Sequence, residues 1–350
     1  MLASAAAATG LVAALLVHTV WLAGEFATIA PHFDGSCAPI SGIVGAEDLA
    51  LDRRGERVFI SSIDRRVDAT RQAATGALWS LDLAAPAAAP IRRTHGLSFP
   101  FHPHGIGLAT SASATVIMVV NHRGGGHVFE AVQDTIEVFK ATTDGDLEHL
   151  RSVADPLLRS VNDVAPLPDG RFYATIDHGQ PGGFMRKIED YTRRPWASVV
   201  LYDGGRARRV ADGLRYANGV ALSAEGAELY VAATVDRAIF VYGVGPDGAL
   251  SLLRRIETGT GVDNITVDDE GMLWLGAHPK LLTFVRHAAD SSVLSPSQVL
   301  RVDPRSGRVD EILLDDGRQL SGSAAAVPWV DRLLIGPVFD DHMLDCRMVR

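Results

Sequence analysis

The chain has 350 residues, 47% hydrophobic and 21% charged, which is enough apolar material for one large globular unit or two medium ones and excludes disorder as the default. Its formal net charge is −9, from 42 acidic and 33 basic residues, and no run of Lys or Arg is placed to track a phosphate backbone. Nucleic acid is therefore excluded as an expected partner.

The first element is residues 2–24, LASAAAATGLVAALLVHTVWLAG, which contain no Asp, Glu, Lys or Arg. About 20 such residues cross a bilayer as a helix. A basic n-region is missing and no convincing A-x-A site follows the apolar stretch, so residues 1–25 are expected to be a retained signal anchor rather than a cleaved leader, with a buried or amphipathic N-terminal helix as the alternative. A membrane or lipid partner and an extracytoplasmic location, secreted or anchored, follow as expectations. Cys37 and Cys346 are the only cysteines, too few for a zinc cluster but enough for a single bridge, which an oxidising compartment would preserve.

Residues 36–350 carry one pattern six times. The copies begin EDLALDRRGERVFISS at Glu47, HGIGLATSASATVIMVVNH at His104, NDVAPLPDGRFYATIDH at Asn162, NGVALSAEGAELYVAAT at Asn218, DNITVDDEGMLWLGAH at Asp263 and SGSAAAVPWVDRLLIGPVF at Ser321. Each is a polar residue, a short apolar strand, a turn and a second β-rich run, which is a hairpin signature. Start-to-start spacings are 57, 58, 56, 45 and 58 residues, with further strand-like runs between copies such as ALWSLDL, DTIEVFKA and ASVVLYD. Two hairpins per period make one four-stranded blade, and six periods predict an all-β, six-bladed β-propeller. A β-sandwich would not repeat one sequence pattern six times. Cys37 precedes the first copy and Cys346 follows the last, where a ring must close, so a bridge between them would act as a latch.

The first strand of each blade lines the central channel, so the residues that open the copies converge on one axial region. They are Glu47-Asp48, His104, Asn162-Asp163, Asn218, Asp263-Asn264 and Ser321. Carboxylates and carboxamides dominate, and calcium takes six to eight such oxygens. The chain has only four Asn, and three of them open copies while the fourth, Asn121, precedes His122. Turn or capping duty is the alternative for these Asn and Asp residues. Asn264-Ile265-Thr266 is the only glycosylation sequon, and a residue facing the channel cannot carry a glycan. His104 opens the second copy and His122 ends it, so they are candidates for a proton-transfer pair. His278 and the Asp177-His178 pair end other copies at the same rim and are expected in the pocket wall or behind it.

At these residues the chain resembles the serum paraoxonase/arylesterase family, calcium-dependent esterase-lactonases on a six-bladed propeller. GAEDLAL, HPHGI, VVNH, NDV, ANGV, VDNITVD, AHP, GS and LLIGPVF come in the family's order from about Cys37 to Cys346. The resemblance implies two calcium ions. Glu47, Asn162, Asn218, Asp263 and Asn264 would hold a catalytic ion, while Asp48, Asp163 and the backbone carbonyl of Ile106 would hold a deeper structural one. It further implies a His104–His122 dyad and a Cys37–Cys346 disulfide. Three departures bear on substrate choice: Ala277 where the family often has Cys, Tyr216 where Phe is usual, and a lid segment, IDRRVDATRQAATGA at 63–77, that matches only in position.

The expected reaction is hydrolysis of a small lipophilic lactone or aryl ester. The metal would polarise the carbonyl, the amide of Asn162 or Asn218 would help at the oxyanion, and His104, supported by His122, would activate water. FMRKIEDY at 184–191 places Phe184, Ile188 and Tyr191 on one helical face, suited to a hydrophobic lip or equally to a plain surface helix. The rival readings are a gluconolactonase-like or strictosidine-synthase-like propeller enzyme, and a non-catalytic calcium-stabilised propeller that binds lipid or protein.

Overall fold

The structure is a computed structural model that describes residues 14, 16–69, 75–85, 88–111, 114–123, 134–180 and 182–349. Each sequence copy forms the two inner strands of an antiparallel sheet, and the runs between copies add the outer two. Blade 1 is Ala46–Asp52, Arg57–Ser62, Ala77–Asp82 and Ile91–Arg92. Blades 2 to 6 start with the inner strands Pro103–Thr110, Val161–Pro166, Ala217–Leu222, Gly261–Val267 and Ser323–Trp329. Contacts between inner strands run around this series and return from Ser323–Trp329 to Ala46–Asp52, so the ring is closed.

Strands such as RVFISS and FYATI are buried almost throughout because a blade is covered on both faces by its neighbours. Six apolar clusters fill the six gaps between blades. Between blades 2 and 3, for example, Met118, Val120, Ile136 and Val138 pack against Val164, Phe172, Ala174 and Val200.

The last two blades borrow strands from the N-terminal side. Gly35–Ser41 pairs with His342–Met348 as the outermost strand of blade 6, and His32–Phe33 adds a fifth strand to blade 5. Pairing therefore begins at His32. Cys37 sits directly opposite Cys346 in blade 6 and forms the disulfide with it.

Four short helices accompany the sheets: α1 (residues 16–22), α2 (Arg65–Ala69), α3 (Gly183–Thr192) and α4 (Leu281–Ala289). The last three each connect the second and third strands of a blade, so they open on the end where the inner strands begin. Among the described residues no helix is long and apolar enough to cross a membrane. Residues 1–13 and 15 lie outside the described residues, and most of the expected anchor falls there. Just beyond α1, the Glu25 carboxylate accepts the Leu282 and Thr283 N–H groups at 2.9 and 3.1 Å and the Thr283 hydroxyl at 2.7 Å. It thereby satisfies the open N-terminal turn of α4 and ties the N-terminal segment to this end of the ring.

Reduction of the disulfide should lower the denaturant midpoint of the chain. The bridge spans a sequence separation of 309 residues, and loop-closure entropy puts its contribution at about 5–6 kcal/mol. Urea unfolding of Cys37→Ser/Cys346→Ser against the parent checks this, with an earlier midpoint and a slope no smaller than the parent's expected.

Candidate active site

The oxygens converge because neighbouring inner strands approach closely at their first residues, and two glycines permit it. A Cβ on Gly105 would lie 2.4 Å from the Asp163 Cα, and one on Gly219 would lie 2.6 Å from the Asn264 Cα. Glu47, Asp48, Asn162, Asp163, Asn218, Asp263 and Asn264 are all buried.

Hydrogen bonds show how they are held. Asp48 accepts the N–H groups of Leu49 and Ile106, each at 2.8 Å, and Asp163 accepts those of Val164 and Val220, each at 2.7 Å. Asn264 Nδ2 donates to the Glu47 carbonyl and to Glu47 Oε1, each at 3.0 Å, closing the gap between the first and fifth copies. Asn218 Nδ2 donates one of its two N–H groups to Thr234 at 3.0 Å. Ser321, which opens the sixth copy, gives its hydroxyl to the Gly317 carbonyl at 3.0 Å.

The side-chain oxygens of Asn162, Asn218 and Asn264 are buried and accept no hydrogen bond from any described residue. Three such orphaned acceptors side by side are costly unless something positive meets them. The carboxyls carry the same signal. Burial, reinforced by the charges of Asp163 and Glu47, pushes Asp48 well above the ordinary carboxylate range. Burial likewise pushes Asp163 up to about 8, with Glu47 and Asp263 adding to it, and raises Asp263 against the pull of His278. Glu47 alone is held down, at about 2, because attraction to His104 and Arg65 and the bond from Asn264 outweigh its burial. Among the described residues no group of three His, Cys, Asp or Glu side chains is arranged as a metal cluster. The unsatisfied donor set combines amide oxygens with carboxylates, and that chemistry fits a hard divalent cation.

Beside this set lies a relay. His104 Nδ1 is 2.8 Å from His122 Nε2, and His122 Nδ1 is 2.9 Å from Asp134 Oδ1. Burial lowers the pKa of His122, but the Asp134 charge and hydrogen bond overcome this and the net shift is upward. The other ring nitrogen of His104, Nε2, is 3.4 Å from Glu47 Oε1. Asp134 was not identifiable from the repeat pattern because it sits between copies, at the start of the third strand of blade 2. Its other oxygen accepts the Val161 N–H at 2.8 Å and so fixes it to the next blade. Arg65 was missed as well. Its guanidinium lies 3.4 Å from Glu47 Oε2 and also donates to the Gly45 and Pro103 carbonyls, binding α2 to the site. The rest of the expected lid, residues 70–74, lies outside the described residues.

The arylesterase family profile matches residues 45–348. The chain belongs to the arylesterase family. It is 31% identical over 328 residues to serum paraoxonase/arylesterase 1 of Mus musculus, covering 90% of this chain and 89% of that protein. It is also 31% identical over 323 residues to serum paraoxonase/arylesterase 2 of Homo sapiens, covering 88% and 87%. Among solved structures, a luciferin-regenerating enzyme aligns with a TM-score of 0.53 at 14% identity, covering 91% of this chain and 96% of that one. The calcium-binding protein regucalcin from Agrobacterium tumefaciens aligns with a TM-score of 0.51 at 15% identity, with the same coverage. These structures share the fold.

In this arylesterase-family chain, of the remaining predicted residues His278, Asp177 and His178 are buried and Tyr216 is half-buried. His278 Nε2 holds Asp263 at 2.8 Å, and its ring stacks on Phe284 of α4 with centroids 3.8 Å apart. His178 is clamped between Asp177 and Asp190, each 2.7 Å from a ring nitrogen, and Tyr216 meets it edge-on. Tyr216 adopts φ +59°, a left-handed backbone that a bulky residue takes only under constraint, and burial raises its hydroxyl pKa. Asp190 belongs to α3, whose Phe184 and Tyr191 are 76% and 66% exposed. Glu189 adds bonds to the Gly179 and Gln180 N–H groups at 2.8 and 3.0 Å.

Burial lowers the pKa of His178, but its two carboxylate partners raise it to about 9 overall. A raised pKa means that the stabilisation is complete below the unfolded value near 6.5 and is lost as pH rises through 9. Amide exchange of α3 should therefore accelerate between pH 7 and 10, beyond the intrinsic chemical trend. His178→Gln should flatten that excess, and an unchanged pH response in the variant would contradict the assignment.

Proposed function

We propose that the protein is a calcium-dependent hydrolase of lipophilic lactones and aryl esters. The observation that carries this reading is the Asp134–His122–His104 relay, whose outer nitrogen, His104 Nε2, lies 3.4 Å from Glu47 Oε1 within a set of buried carboxylates and unsatisfied amide oxygens. Membership of the arylesterase family supports it.

Glu47, Asn162, Asn218, Asp263 and Asn264 would hold one ion. Asp48, Asp163 and the Ile106 carbonyl would hold a second, deeper one. Bound calcium supplies Lewis-acid polarisation of an ester carbonyl and charge stabilisation for the oxyanion. The residues do the rest. Asp134 accepts a hydrogen bond from His122 Nδ1–H, and His122 Nε2 in turn accepts one from His104 Nδ1–H, each proton staying on its own ring. His104 Nε2 then carries the lone pair on the site side, where it can take a proton from water attacking the carbonyl. The amide of Asn162 or Asn218 would donate toward the developing oxyanion. His278 and Phe284 keep Asp263 oriented, and Arg65 keeps Glu47 ionised.

The lipophilic preference follows from the apolar residues exposed at the same end, namely Phe184 and Tyr191 of α3 and Trp21 and Phe26 near α1. The proposal includes a lipid or membrane contact through this rim and the N-terminal segment, and an extracytoplasmic setting consistent with the disulfide.

The test is hydrolysis of a lipophilic γ- or δ-lactone and of phenyl acetate by purified protein before and after chelation. Activity should vanish with chelator and return with calcium. If neither substrate is turned over while calcium still raises the melting temperature, the protein is a calcium-stabilised scaffold. His104→Gln should lower kcat by about 10²- to 10⁴-fold. Asp263→Asn should cost more, and it should also weaken calcium binding measured by calorimetry.

A further inference from the structure

Three of the four asparagines open inner strands, and the fourth, Asn121, ends the strand Thr115–Asn121 immediately before His122. Its side chain is wholly buried and fully engaged. Oδ1 accepts the His102 N–H at 2.8 Å, while Nδ2 donates to the Pro100 carbonyl at 3.1 Å and to Glu137 Oε1 at 3.0 Å. The amide thus fastens the segment that leads into His104 to the residue that precedes His122. Residues 93–102 belong to no strand, so side-chain bonds of this kind hold that segment in register.

An amide can sit in either of two orientations, and only one serves here. Glu137 selects it. Glu137 lies on the strand Thr135–Ala141 with its carboxylate completely buried. Oε1 accepts from Asn121 and, at 2.7 Å, from the Thr135 hydroxyl. Oε2 faces His149 Nε2 at 2.9 Å and the Ser152 hydroxyl. Burial raises the carboxyl pKa, but the bonds from Asn121, Ser152, Thr135 and His149 more than reverse this and keep it below its usual range. An ionised carboxylate is acceptor-only, so the Asn121 NH2 must face it and Oδ1 must face His102. His149 is also packed between Phe99 of the same irregular segment and Phe139, with centroids 4.8 and 5.2 Å away.

We propose that Glu137, acting through Asn121, is a positioning residue that sets the His104–His122 hydrogen bond. The proposal rests on the histidine-relay reading above and adds a buried polar hub behind it. Catalytic geometry is sensitive to shifts of about 1 Å, which can cost about 10²-fold in rate.

The experiment compares four variants of the full chain in calcium, with kcat and KM for a lactone, the melting temperature and the downfield imidazole N–H proton signals as readouts. Asn121→Ala should lower kcat about 10- to 100-fold with KM within about twofold, and should broaden or remove the imidazole signal. Glu137→Gln should lower kcat about tenfold with KM within about twofold, because an amide that can turn its NH2 toward Asn121 no longer forces the Asn121 orientation; parent-level kcat in Glu137→Gln would overturn the proposal. Ser152→Ala removes only a bond to Oε2, so it should lose stability but keep kcat within about threefold. If Asn121→Ala does not fold, Asn121→Ser, which keeps a hydroxyl for one partner, should show the same loss at about tenfold. Equal kcat losses in Asn121→Ala and Ser152→Ala that track melting temperature would overturn the proposal, as would parent-level kcat in Asn121→Ala. His104→Ala, the fourth variant, separates the two ideas: full activity there would remove the relay reading itself, whereas an inactive His104→Ala beside an unimpaired Asn121→Ala would remove only the hub.

Discussion

Four carboxyls and three amide oxygens are buried together at the axis of a ring of strands, and their mutual repulsion is the constraint around which the rest of the molecule is arranged. Glu47, Asp48, Asp163 and Asp263 approach one another because Gly105 and Gly219 let the inner strands close up. Backbone N–H groups, one arginine and two histidines offset part of the cost. The orphaned oxygens of Asn162, Asn218 and Asn264 mark the part that protein groups leave unmet. A site of this kind demands a rigid frame, which six interlocked blades and a disulfide at the ring closure supply.

The helices at the open end extend that logic outward. Two of them are fastened at this end by ionic contacts: α2 through Arg65 to Glu47, and α3 through Asp190 to His178. The contact for α4 is Glu25 at its first turn, and its Phe284 stacks on the histidine that orients Asp263. Trp21 of α1 and Phe184 and Tyr191 of α3 are exposed apolar residues.

Much of this was legible in the sequence because a propeller repeats its signal. Asn162-Asp163, Asn218 and Asp263-Asn264 stand at equivalent positions of successive copies, and period and residue type together pointed to one axial cluster. The Cys37–Cys346 bridge was legible for the same reason, since the cysteines flank the repeat array. Asp134 and Arg65 were not legible, because they lie between copies and reach their partners only through the fold. Nor could the sequence show that Asn218 donates one amide N–H to Thr234, that His278 serves Asp263 from beneath Phe284, or that blade 5 takes a fifth strand from His32–Phe33. Those facts depend on side-chain direction and on contacts between residues far apart in the chain.

The central claim is that the unmet oxygens at the axis are ion ligands in an active hydrolase. The most direct measurement is a crystal structure of the calcium-loaded protein from a preparation whose lactone turnover has been measured. The account predicts density for an ion about 2.3–2.6 Å from the side-chain oxygens of Asn162, Asn218 and Asn264 and from the carboxylates of Glu47 and Asp263. An active preparation in which those oxygens meet only water or protein donors would contradict it.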